Sequence, residues 1–176
     1  ILWGDLGLNR IITTGQLLPG LGLANHITIF RGLLLIPLAG FLFISVESDW
    51  NGWLPGILFL TISLLDLADG AAARLGGGST RLGEHLDMRL DGIGVLLASI
   101  IMVTQGKAPL IFILAGLARF LYIFGQWVLR KMERQVYPLP PNPYRRALAG
   151  TMMGFISVAL FPIFSPQVTR IVSVLF

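Results

Sequence analysis

No cysteine occurs among the 176 residues. Disulfides and thiol chemistry are therefore excluded, and the redox compartment is left open. Charge is also scarce. Asp, Glu, Lys and Arg make up 12% of the chain, against about 25% in soluble domains. The start of the chain lacks a basic n-region with a small-residue cleavage site, so a cleaved signal peptide is not indicated. The first residue is Ile1, and the native chain is expected to begin upstream.

Apolar surface fills the place of charge. Hydrophobic residues make up 55% of the chain, and the mean hydropathy is +0.78. The excess is spread along the whole length, which points to a membrane as solvent. A spanning helix takes about 20 apolar residues, so five or six spans fit and a separate soluble domain does not. The expected fold is an all-α, polytopic membrane bundle of about six helices. Residues 1–24 read as a juxtamembrane or interfacial segment and 25–176 as the membrane domain. Spans are expected at about Ile27–Val46, from Trp53 into the Asp66 region, from Gly83 to before Lys107, at Pro109–Leu129 and at Ala147–Phe164. A sixth begins near Gln167 and is cut off at Phe176. The run from Tyr137 to Tyr144 is too rich in proline for helix and reads as a stiff connector.

Net charge is +4. In a membrane protein this suits basic loops facing anionic lipid better than nucleic acid. Ten of the thirteen Lys and Arg fall on one side of the expected spans. The positive-inside rule makes that side cytoplasmic, with Lys107 opposite. Trp50 and Trp53 suit an outer aromatic belt.

Four of the nine acidic residues lie at the ends of apolar helices: Asp66, Asp69, Asp87 and Asp91. Each costs at least about 2.5–3.5 kcal/mol at mid-bilayer, and together they repel. Divalent cations neutralise such a group well, and hard oxygen ligands suit Mg or Mn. Asp66, Gly70 and Ala73 share one helical face, with Asp69 beside Gly70; Gly83, Asp87 and Asp91 share another. Gly76-Gly77-Gly78-Ser79-Thr80 permits a reversal between them, with Ser79 or Thr80 as cap. The two helices are then antiparallel neighbours with converging acidic faces. Purely structural polar ties and a cation or proton path are the bland alternatives.

The string Asp66-x2-Asp69-Gly70-x2-Ala73-Arg74-x8-Gly83-x3-Asp87-x3-Asp91 resembles the complete signature of the CDP-alcohol phosphotransferase family. Asn25-x2-Thr28-x2-Arg31 resembles the segment that precedes it in many members. The resemblance covers about residues 24–176. It implies a homodimeric six-helix membrane enzyme with a cytoplasm-facing polar cavity; the expected location is a bacterial inner membrane. It implies cleavage of a CDP-linked donor, transfer to an acceptor hydroxyl and release of CMP. On the motif, Asp66, Asp69 and Asp87 are metal ligands for Mg or Mn, as a pair of ions. Asp91 is the general base and a further ligand. Gly70, Ala73 and Gly83 line the nucleotide site with Thr28 and Arg31, and Arg74 holds the diphosphate.

Arg119 within a span, with Arg145 and Arg146 at the start of the next, would suit an acceptor carrying phosphate. Positive-inside anchoring, or an inter-helix tie for Arg119, is the plainer account. The expected reaction is phosphatidyl transfer from CDP-diacylglycerol to glycerol 3-phosphate or inositol phosphate. A CDP-aminoalcohol enzyme acting on diacylglycerol, an intramembrane prenyltransferase, and a non-enzymatic transporter or scaffold are the alternatives. His85 points away from the Asp87 face and reads as a solvated histidine.

Overall fold

The computed structural model describes residues 8–12, 15, 20–44, 50–75, 80–134 and 143–176. Among the described residues, six α-helices follow one another: α1 (Leu23–Gly40), α2 (Leu54–Leu75), α3 (Arg81–Thr104), α4 (Phe112–Lys131), α5 (Pro143–Ala159) and α6 (Pro166–Val172). Short 3-10 turns sit at Trp50–Gly52 and Ser173–Leu175. The protein is an all-helical membrane bundle. Among the described residues, α1, the stretch Trp50–Ala72 and α4 are long and apolar enough to cross a bilayer. Helix α3 has the length, but its first three turns carry the charged half of the signature. Helices α5 and α6 are shorter than the expected fifth and sixth spans.

Helix limits differ from the periodicity reading at several ends. Helix α1 starts four residues early, after Gly22, and stops at Gly40; residues 45–46 of the expected span lie outside the described residues. Helix α2 runs on to Leu75, so Asp66, Asp69 and Gly70 share one unbroken helix, as their spacing implied. Helix α5 begins at Pro143, inside the stretch read as non-helical. A proline fits there because the first helical position needs no N–H partner. The rest of that connector, 137–142, lies outside the described residues.

Helix α1 packs on both α2 and α3, and α2 and α3 meet each other much less. The two signature helices are therefore joined mainly through α1 rather than as direct neighbours. Helix α4 packs on α3, and α5 on α2 and α3. The apolar core occupies one end of the bundle. Leu38, Phe59, Ala98, Ile101, Met102, Ile156 and Leu160 are all fully buried there. Each such side chain contributes about 1.5–3 kcal/mol in water; in lipid, close packing carries more of the association.

Lys107 closes this apolar end. It lies in the α3–α4 connector and is 7% exposed, not the solvated loop charge its position suggested. Its Nζ donates to the carbonyls of Leu160 (2.7 Å) and Phe161 (3.2 Å). Those carbonyls follow the last turn of α5, where a cation complements the helix dipole. Burial lowers the Lys107 pKa from 10.5 to about 8.

Candidate active site

The acidic residues converge at the other end. Asp66 and Asp69 come from α2, and Asp87 and Asp91 from α3. One carboxylate oxygen from each of Asp66, Asp69 and Asp87 lies within 4.8 Å of the others. Helix α1 supplies the counter-charge. Arg31 is 1% exposed, and its guanidinium hydrogen-bonds Asp66 and Asp87. It also pairs with Asp91 at 3.3 Å and Asp69 at 3.7 Å. A planar guanidinium with five donors can serve several carboxylates at once, as an ammonium cannot. One turn earlier on α1, Thr28 donates to Asp69 Oδ2 at 2.9 Å.

Next to this cluster is a cleft of about 180 Å³. Gly70 of α2 and Gly83 of α3 line it, with Asn25 and Thr28 from α1 and with Asp69 and Asp87. Gly83 is a site of close approach: a Cβ there would lie 2.6 Å from Asn25 Oδ1. Thr80, not Ser79, is seen as the α3 N-cap, accepting from the Gly83 N–H at 3.0 Å. Ser79 lies outside the described residues.

Arg119 of α4 reaches the same end. Its Cδ stands where a Gly92 Cβ would be, at 2.7 Å. Gly92 follows Asp91, and Arg119 lies close enough to act on the Asp91 charge. So Asp91 faces cations from α1 and α4. Of the other nominated residues, Arg31 is turned to the carboxylates and His85 is exposed. The side chains of Ala73, Arg74, Arg145 and Arg146 lie outside the described residues.

Sequence reasoning missed Asn9, Ile12 and Glu84. Ile12 and Glu84 line the cleft. Asn9 is buried and bonded to Asn25. No residue spacing announces them, because their partners lie on other segments.

The profile of the family described as CDP-alcohol phosphatidyltransferase matches residues 21–176. The chain belongs to this family. Proteins of Mycobacterium bovis and Mycobacterium tuberculosis, provisionally named cardiolipin synthase, are 31% identical over 154 residues. The alignment covers 86% of this chain and 66% of each relative. The chain thus spans just under two thirds of the length of these curated relatives.

The carboxylate set fits a divalent cation. It is all hard oxygen, and three of its oxygens are close enough to share an ion. With four aspartates ionised, Arg31 and the nearby Arg119 leave the cluster at a formal charge of −2. That excess favours a further cation.

Proposed function

We propose that this chain catalyses phosphatidyl transfer from CDP-diacylglycerol to the hydroxyl of a small phosphorylated alcohol, glycerol 3-phosphate or an inositol phosphate, releasing CMP. The observation that carries the reading is the convergence of three signature carboxylates beside a glycine-walled cleft. Family membership gives it the donor class.

In this reading, Asp66, Asp69 and Asp87 hold Mg or Mn, with Asp91 as a further ligand. The bound ions would neutralise charge on the donor diphosphate and on the departing CMP. The rest falls to the chain's own groups. Gly70 and Gly83 let the nucleotide lie against helix backbone. Thr28 orients Asp69 through its hydroxyl. Arg31 keeps the carboxylates together. Asp91 takes the proton from the acceptor hydroxyl as that oxygen attacks phosphorus. Arg119, beside Asp91, receives the acceptor phosphate. Arg74, Arg145 and Arg146 belong to the same reading on sequence grounds, for diphosphate and acceptor. The site faces the cytoplasm of a bacterial inner membrane, supported by Arg81 and Arg89 around the acidic cluster and by Arg130 and Lys131 at the end of α4. A homodimer in the bilayer completes the reading and rests on the family resemblance.

A second reading is favoured by the mycobacterial relatives. Cardiolipin contains two phosphatidyl groups on one glycerol, so the acceptor would be the free glycerol hydroxyl of phosphatidylglycerol. That acceptor is also anionic and would use Arg119 in the same way.

The test is CMP release from CDP-diacylglycerol by protein in nanodiscs with Mg or Mn. Acceptors are glycerol 3-phosphate, inositol 1-phosphate, inositol, serine and phosphatidylglycerol, with Asp91→Asn as control. Metal-dependent release with one phosphorylated acceptor, lost in the control, is the expected result. Release with phosphatidylglycerol alone selects the second reading. Release with serine or unphosphorylated inositol alone defeats the phosphate-acceptor assignment.

A further inference from the structure

A chain of side-chain hydrogen bonds runs from the N-terminal segment to the backbone of the cleft. Asn9 Nδ2 donates to the Gly20 carbonyl at 3.0 Å. Asn9 Oδ1 accepts from Asn25 Nδ2 at 3.1 Å. Asn25 Oδ1 accepts from the Thr80 hydroxyl at 3.1 Å. Thr80 Oγ1 accepts in turn from the Gly83 N–H at 3.0 Å. Both ends are backbone groups, a carbonyl and an N–H, so each amide between them has one workable orientation. Asn9 thereby dictates that Asn25 presents oxygen, not nitrogen, to Thr80 and Gly83. All three side chains are buried: Asn9 is 5% exposed, Asn25 2% and Thr80 7%.

A second set of contacts holds the segment in place. The Arg81 N–H donates to the Arg10 carbonyl at 3.0 Å, and Ile11 forms an isolated antiparallel bridge with Thr80. Ile12 then lines the cleft. These residues precede the family-matched region, which begins at residue 21.

We propose that Asn9 is a positioning residue for the nucleotide cleft: through Asn25 and Thr80 it sets the separation between α1 and the start of α3, and so between Thr28 and Gly83. The segment around it supplies Ile12 as an added apolar wall. This rests on the functional reading above, since it assigns the cleft to the donor nucleotide. Asn25 Oδ1 lies 2.6 Å from where a Cβ of residue 83 would be, so its placement sets how close a ligand comes to that backbone. The hydrogen bonds of Asn25 itself run to Asn9 and Thr80, not to the carboxylates or Arg119, so a misplaced Asn25 acts first on the cleft.

The test separates donor binding from the rest of the cycle. Donor KM, acceptor KM and kcat are measured for the unaltered protein, Asn9→Ala, Asn25→Ala and the double variant, each with its folded fraction. Loss of one buried link should raise donor KM about tenfold while leaving kcat and acceptor KM within about twofold. The double variant should match the worse single variant, because both cut one chain. If Asn9→Ala does not accumulate, Asn9→Gln keeps the amide but displaces it by a methylene, and the same rise in donor KM is expected. An unchanged donor KM overturns the proposal. So does a fall in kcat that only tracks the folded fraction, or additive effects in the double variant. If the unaltered protein releases no CMP with any acceptor, the functional reading fails instead. CMP binding by calorimetry then decides: weaker binding in Asn9→Ala supports positioning, unchanged binding overturns it, and no binding to the unaltered protein overturns both.

Discussion

Replacing Arg31 by methionine keeps an unbranched apolar stem and removes a guanidinium that touches four carboxylates. The substitution leaves α1 apolar at that point and strands the aspartates. Breaking a buried ion pair by removing one partner costs about 3–5 kcal/mol. Asp66, Asp87 and Asp91 retain 24%, 35% and 31% exposure, so water relieves part of the repulsion. The expected loss is therefore at the lower end, about 3 kcal/mol, or roughly 150-fold in the folded-to-unfolded ratio. A divalent cation that binds the same carboxylates replaces the missing charge. Adding Mn or Mg should then raise the unfolding temperature of Arg31→Met more than that of the unaltered protein. The assay is thermal unfolding in nanodiscs across a metal titration, with a chelator as the zero point. Two results refute the reasoning: Arg31→Met as stable as the unaltered protein in chelator, or no larger metal response in the variant. The first would show that the aspartates do not need Arg31. The second would show that the cation goes elsewhere.

Three further outcomes follow from the geometry. Gly83→Ala places a methyl 2.6 Å from the buried Asn25 Oδ1; over-packing of about 1–3 kcal/mol should lower CMP release at least fivefold in a protein that still inserts, read by initial rates in nanodiscs. Arg119→Ala should raise the acceptor KM tenfold or more with little change in donor KM (about 1.5–3 kcal/mol for a charged hydrogen bond), and an unchanged acceptor KM removes Arg119 from the acceptor site. Lys107 has a pKa lowered from 10.5 to about 8, so between these values the unfolded chain binds more protons than the folded one. Stability should rise with pH across that window; denaturation from pH 7 to 11 should lose this rise in Lys107→Met, and an unchanged slope assigns it to other groups.

Much of the site was legible in the sequence because helical periodicity is local. Asp66, Asp69 and Gly70 had to share one side of a helix, as did Gly83, Asp87 and Asp91. The cost of four acids in apolar helices demanded a cation before any coordinate was known. The cap on α3 was narrowed to two residues for the same local reason. Helix ends were less legible, since Pro143 is compatible with both a connector and a first turn.

Pairings between distant segments were not legible. Spacing made the two signature helices direct neighbours; the fold inserts α1 between them. That placement brings Arg31 to carboxylates 35 to 60 positions away, whereas the family resemblance implied a nucleotide contact. Lys107 illustrates the same limit, because two carbonyls that end α5 account for its burial. Asn9 illustrates it most fully, as its partners Gly20 and Asn25 carry no pattern in common with it. The sequence alone determined the solvent, the helix faces and the need for positive charge, all set by composition and a short repeat. Only the tertiary structure decided which groups meet that need, because ion pairs and buried hydrogen bonds depend on distances in space that no local period encodes.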